Sequence, residues 1–334
     1  MKTRSIPCFS RCYRARVQSV VPIFVSSGRS GLTLLGMIFG SHPELAVAHE
    51  PRFLATMAPK HGDYDAGGRL DVDRFLSDLY SVSNFRRLGL SREEVRAALE
   101  VGKVTTFPEA VRLVFDLYAR SRGKPLYGDK TPLYITFMEP IAALLPETRF
   151  VHLVRDGRDV TLAYLERDKG PSTVAEGAFH WRLRVTRGRD SGKTLGGDRY
   201  REFHYEELID DPEGTVRQIC EFLELEFQPS MLDYGGTSET FLAEAKNPGD
   251  HQHLTIAPTK GLNDWRAEMS TKDLALFEAI AGDALEELGY DRASARPASR
   301  PVVWWEWARW QAGRVMWRIK WVLFRKPPKG GPEG

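Results

Sequence analysis

The chain has 334 residues, 42% hydrophobic and 28% charged, the balance of a folded globular protein and not of a disordered or fibrous one. Its three cysteines, Cys8, Cys12 and Cys220, form neither a disulfide framework nor a metal-ligand set, which points to a reducing, cytoplasmic setting. The net charge of +2 conceals a split: residues 1–20 carry +5 and residues 300–334 carry +6, leaving −9 on the span between, so the ends, not the body, are expected to meet an anionic surface, and the acidic body argues against nucleic acid as a partner.

Residues 1–20 lack the apolar core of a secretory signal, and no run reaches membrane-spanning length. Their arginines leave an organelle-targeting peptide open. A short basic arm is the preferred reading, because structured chain begins at once. Pro22 to Val25 is a short apolar run that passes through Ser26-Ser27-Gly28-Arg29-Ser30-Gly31 into Leu34, Leu35, Ile38 and Phe39, spaced to cover one helical face. Strand, loop, helix is the expected order. Unpaired N–H groups at a helix start, with the helix dipole, suit a phosphate, and Arg29 adds a charge. An ordinary glycine-containing turn accounts for these residues equally well. The nucleotide-binding pattern Gly-x-x-x-x-Gly-Lys-Ser/Thr is absent: no Lys follows Gly31, and Thr33 is displaced from the Mg²⁺-binding position.

Pro43 stops the helix and Leu45 to Ala48 reads as a second strand. Glu50 then lies just past a strand end, where open α/β sheets bind ligands, although a solvated loop acid is the plainer account of a single Glu there. Neighbouring His49 has a suitable unperturbed pKa for a base, but in an extended segment the two side chains cannot both face the crevice. Residues 60–125 alternate polar loops with helical patterns at Val72–Tyr80 and Phe107–Tyr118, with a capped start at Ser91-Arg92-Glu93-Glu94. This block is expected as a helical insertion over the site. Gly128-Asp129-Lys130-Thr131-Pro132 follows, then a helix over Phe137–Leu145. The apolar strand up to Val154 ends in Arg155-Asp156-Gly157-Arg158, which places two guanidinium groups at the same sheet edge as the first loop. The alternative is an ion-pair cluster capping the next helix. His204-Tyr205-Glu206 precedes a helix over Val216–Leu223, and Lys260 and Gly261 precede Trp265.

Five of these stretches, in this order over about residues 20–292, resemble the motifs of sulfotransferases that use 3′-phosphoadenosine 5′-phosphosulfate (PAPS), most of all the bacterial-type and tyrosylprotein-like branch. The resemblance implies an α/β fold with a P-loop-like, mostly parallel central sheet flanked by helices. It implies that Ser27, Gly28, Arg29, Ser30, Gly31 and Thr33 hold the 5′-phosphosulfate, that Arg155 binds the 3′-phosphate, and that Tyr205 lies near the adenosine. Lys260 and Gly261 would belong to a late donor-binding element. Lys130 is the expected cation on the bridging oxygen or sulfuryl group, Arg29 assists, and Glu50 is the candidate general base. No metal is expected. Two departures stand out: Leu32 replaces a Thr of the first motif, and Ala163 stands where the second has a Ser, whose contact is lost unless Thr161 or another donor replaces it.

Beyond Pro301 lie six of the eight tryptophans. On a helical projection Trp304, Trp305, Ala308, Ala312, Val315, Met316, Ile319, Val322 and Leu323 share one face. Three roles suit it: docking on the body by that face, lying on an anionic membrane surface, or binding a protein partner. The organisation expected is a basic arm (1–20), a sulfotransferase domain (21–295) and a basic, Trp-rich tail helix (296–334). The activity expected is sulfuryl transfer from PAPS to an acceptor hydroxyl, with a glycolipid, carbohydrate or other membrane-associated compound favoured through the tail alone. A small-molecule kinase of related fold and a non-catalytic nucleotide- or membrane-binding relative are the alternatives; oligomeric state stays open.

Overall fold

The computed structural model describes residues 18–167, 170–234 and 264–324. Strands β1 (Val21–Val25), β2 (Leu45–His49), β3 (Leu126–Lys130), β4 (Thr148–Val154) and β5 (Tyr200–His204) form one sheet in the order β2-β3-β1-β4-β5. Every neighbouring pair is parallel. Parallel strands need crossovers, and helices supply them. They are α1 (Leu32–Gly40), α2 (Phe53–Met57), α3 (Val72–Ser81), α4 (Arg92–Val101), α5 (Phe107–Ser121), α6 (Met138–Leu144), α7 (Gly157–Leu165) and α8 (Val174–Leu195); α9 (Tyr205–Asp210) and α10 (Pro212–Phe222) follow the last strand. Longer chain follows as the helices Thr271–Glu287 and Arg300–Phe324.

The sheet is covered on both faces, so successive strand residues feed different cores. Phe24, Val151, Leu153 and Phe203 pack with Leu35 and Phe39 of α1 and Ile219 of α10. Ile23, Val25, Tyr127 and Phe150 face the other way, toward Phe115 of α5 and, beyond it, Phe75 and Val95 of α3 and α4. A third cluster joins Val154 and Val160 to Trp181 of α8 and Phe277. Helix starts are locally encoded: the Ser91 hydroxyl accepts from the Glu94 N–H at 3.1 Å, and Thr106 with Glu109 forms a capping box. Of the block 60–125, α5 lies directly on β2 and β3, while the stretch around Asn84 and Arg87 borders the site.

The terminal helix is attached through Val303 and Trp310; Trp310 stacks on Phe179 of α8 with ring centroids 5.1 Å apart. Trp304, Trp305, Val315 and Met316 are exposed. Of the three roles left open for that face, docking on the body is not the one seen: the helix attaches by its other side. Phe179 offers a flat ring that Trp310 covers, and Trp310 lies on the opposite side of the helix from Trp304 and Trp305.

Candidate active site

Register alone assembles the site. Phe24 and His49 both pair with Lys130 across the sheet, Val25 pairs with His152, and Val154 pairs with His204. Every strand therefore ends near one edge. The residue at or just past each end is Glu50 for β2, Lys130 for β3, the loop Ser26–Gly31 for β1, Arg155 for β4 and Tyr205 for β5.

The β1–α1 loop is held by its own serines. The Gly28 N–H donates to the Ser26 hydroxyl at 3.1 Å, Ser27 and Ser30 share a hydrogen bond of 3.0 Å, and the Ser30 hydroxyl donates to the Gly28 carbonyl at 3.2 Å. Helix α1 has no side-chain cap and no acid in its first turn, so its N-terminal N–H groups and dipole are directed at the crevice. Thr33 is the second residue of that turn. Gly28 and Gly31 have φ of 88° and 79°, and a Cβ on Gly31 would meet the Tyr205 ring at 2.3 Å. Tyr205 thus closes over the loop, and the Arg155 guanidinium lies 4.8 Å from its ring centroid. Arg155 also donates to the Arg29 carbonyl at 3.4 Å and stands 3.6 Å from Asp159.

On the other flank the Glu50 carboxylate bridges two cations, Lys130 Nζ at 3.2 Å and Arg52 Nη2 at 2.7 Å. Burial opposes its charge, but Lys130, Arg52 and His49 together outweigh burial and hold the carboxyl well below the usual range. Lys130 is fully buried, and burial, offset in part by Glu50, lowers its ammonium pKa. Its stem crosses α1, for a Cβ on Gly36 would lie 3.1 Å from Lys130 Cγ. Neighbouring Asp129 is buried on the other side of the strand, bonded to Thr131 at 2.6 Å, and burial pushes it up to about 8. Arg29, Glu50 and Arg52 have φ of 56°, 47° and 59°. Left-handed backbone at three non-glycine residues around one crevice is strain of the kind that functional sites carry. At Glu50 it also breaks the extended geometry assumed from sequence: His49 stays buried at the end of β2 while Glu50 turns to Lys130.

Two sequence expectations change, and a third falls on residues that are not described. Arg158 does not face the crevice; it is 1% exposed and pairs with Asp156 at 2.8 Å and Glu278 at 2.7 Å, because an Arg buried among helices needs carboxylates to match it. Thr161 is wholly buried against α8, where a Cβ on Gly177 would meet its hydroxyl at 2.6 Å, so it does not replace the serine missing at Ala163. Lys260 and Gly261 lie outside the described residues. Other residues were not anticipated. Arg184 of α8 and Tyr164 of α7 donate to the Ser27 carbonyl at 3.0 and 3.3 Å, and Asn84 donates to the Glu50 carbonyl at 3.0 Å. Nothing in local spacing links Arg184 to Ser27; only the charge of Arg52, two residues beyond Glu50, was a local signal.

Known proteins are similar to this chain in sequence and fold. The Sulfotransferase family profile matches residues 22–229. Protein-tyrosine sulfotransferase of Drosophila melanogaster is 20% identical over 305 residues, covering 87% of this chain and 56% of that protein. Omega-hydroxy-beta-dihydromenaquinone-9 sulfotransferase Stf3 of Mycobacterium tuberculosis is 26% identical over 226 residues, covering 61% of this chain and 50% of that protein. Among solved structures, the sulfotransferase domain of the Synechococcus PCC 7002 olefin synthase superposes with a TM-score of 0.57 at 26% identity, covering 81% of this chain and 94% of that one. With a profile spanning the sheet, the loop and every strand end that builds the crevice, the chain belongs to the sulfotransferase family.

Proposed function

We propose that the protein transfers a sulfuryl group from PAPS to a hydroxyl of its acceptor, releasing adenosine 3′,5′-bisphosphate. The observation that carries this is the Glu50–Lys130 contact of 3.2 Å at the same sheet edge as the α1 N-terminus: an acid–base pair beside an anion cradle. The residues present fit such a donor. The uncapped start of α1 and the N–H groups of Ser27 to Thr33 suit the 5′-phosphosulfate, with Arg29 adding charge. Arg155 suits the 3′-phosphate, and Tyr205 offers a ring for the adenosine. The two relatives named for their acceptors act on a tyrosine and on a hydroxylated menaquinone, hydroxyls in both cases.

In the reaction the acceptor oxygen forms a bond to sulfur as the bond from sulfur to the 5′-phosphate oxygen breaks, and that oxygen takes the electron pair. Charge on the sulfuryl oxygens and the leaving phosphate is met by preorganised N–H groups and Lys130. Glu50 takes the acceptor proton. While it bridges two cations it is a weak base, so its contact with Lys130 has a second use. When Lys130 turns its charge to the donor, Glu50 loses part of the attraction that depresses its pKa and becomes a better base as the sulfuryl group arrives. A membrane-associated or carbohydrate hydroxyl remains the favoured acceptor.

The test compares thermal shifts with adenosine 3′,5′-bisphosphate, AMP and Mg-ATP. Selective stabilisation by the bisphosphate, about 2.7 kcal/mol at a hundred times its Kd, is expected. Stabilisation by Mg-ATP alone would replace this reading with that of a kinase. In the same assay Glu50→Ala should retain bisphosphate binding while turnover falls by about 10²–10⁴; loss of both would make Glu50 structural.

A further inference from the structure

The helix Arg300–Phe324 carries a surface that the catalytic reading leaves unused. Its attached side holds Val303 and Trp310. At 100° per residue, Trp304, Trp305, Ala308, Ala312, Val315 and Met316 form a stripe on the opposite side. Trp304 is 66% exposed, Trp305 60%, Val315 53% and Met316 59%. Single exposed apolar side chains are ordinary, but a continuous stripe holding two tryptophans marks a contact surface.

We propose that this stripe docks on a lipid bilayer with anionic headgroups. Charge selects the occupant. Residues 300–334 carry +6 and the span from 21 to 299 carries −9, so an acidic surface attracts the tail, as it does the +5 arm, and repels the body; the helix is the basic end that also bears an exposed apolar stripe. A second copy of the chain would bring an equally basic tail against this one. Tryptophan, with an apolar body and one N–H, is at home at the depth of the headgroups, where arginine finds phosphate. Among the described residues no helix is long and apolar enough to cross a membrane, so the helix lies in the interface. The proposal does not depend on the assignment of donor or acceptor.

Full-length protein floated with phosphatidylcholine vesicles, and with vesicles that also contain phosphatidylglycerol, tests this directly. Binding about tenfold greater to the anionic vesicles, falling as salt is added, is expected. Replacing both tryptophans, Trp304→Ser with Trp305→Ser, should cut that binding about tenfold and leave the melting temperature unchanged, since neither ring is buried. Quenching of tryptophan emission by lipids brominated in the acyl chain gives a readout that needs no variant. Absence of flotation with both vesicles, or flotation indifferent to the paired substitution, overturns the proposal. So does a dimer in light scattering that the same substitution dissolves, which would assign the stripe to a second copy.

Discussion

Glu50 shows how one residue can be legible in position and opaque in setting. Its place just beyond an apolar run put it at a ligand-binding edge, and the resemblance made it the candidate base. That its carboxylate is clamped by Arg52 and Lys130 follows from left-handed backbone on either side of Pro51, which no spacing rule foretells. The clamp has a kinetic signature. A carboxyl held well below its ordinary range stays ionised through the mildly acidic region, so kcat/KM, which reports the free enzyme, should show no acid limb from Glu50 there. Arg52→Ala removes one of the cations lowering that pKa. The carboxyl should then climb back toward its ordinary value and an acid limb should appear at higher pH than in the unaltered protein. An unchanged profile would show that Glu50 is not the base that titrates.

At the level of elements, strand, loop and first helix were readable because each is encoded within a few residues: an apolar run, two glycines, an i, i+3, i+4 stripe. What holds the loop from behind was not readable, since α7 and α8 reach Ser27 from more than a hundred residues away. Gly31 joins the local and the distant. It needs a positive φ, and its missing side chain admits the Tyr205 ring. Gly31→Ala should therefore destabilise the fold by about 1–3 kcal/mol and, by displacing Tyr205 from the loop, weaken adenosine bisphosphate binding about tenfold. Calorimetric titration and thermal melting read the two effects separately. Unaltered affinity would separate the Tyr205 contact from donor binding.

Across the whole molecule, the parallel sheet was anticipated through the resemblance, with which the alternation of strand and helix patterns agrees. The long-range ion pairs were not. Arg158, four residues past the end of β4, is tied to Asp156, to Glu278 on the helix Thr271–Glu287 and to the Asp291 carbonyl at 3.0 Å, with Trp265 3.7 Å above it. It fastens the late helices to the sheet. Arg158→Met would leave two buried carboxylates without their cation, and a cost of about 3–5 kcal/mol is expected, visible as a lower denaturation midpoint. The folded fraction should still bind adenosine bisphosphate, since Arg155 is the guanidinium that faces the crevice. The sequence also left the side by which the terminal helix attaches undecided, because its projection finds apolar residues without saying which of them meet Phe179.

The strand order β2-β3-β1-β4-β5 sets the site residues in the spatial sequence Glu50, Lys130, β1–α1 loop, Arg155, Tyr205, although the chain visits the loop first. On the proposed roles, one flank of the sheet handles the acceptor and the other the donor, with Lys130 and the loop at the seam. The acceptor flank is bordered by Arg52, Asn84 and Arg87, all from the single stretch between β2 and β3. A lineage could therefore rewrite its choice of acceptor within that one insertion while inheriting the nucleotide half intact.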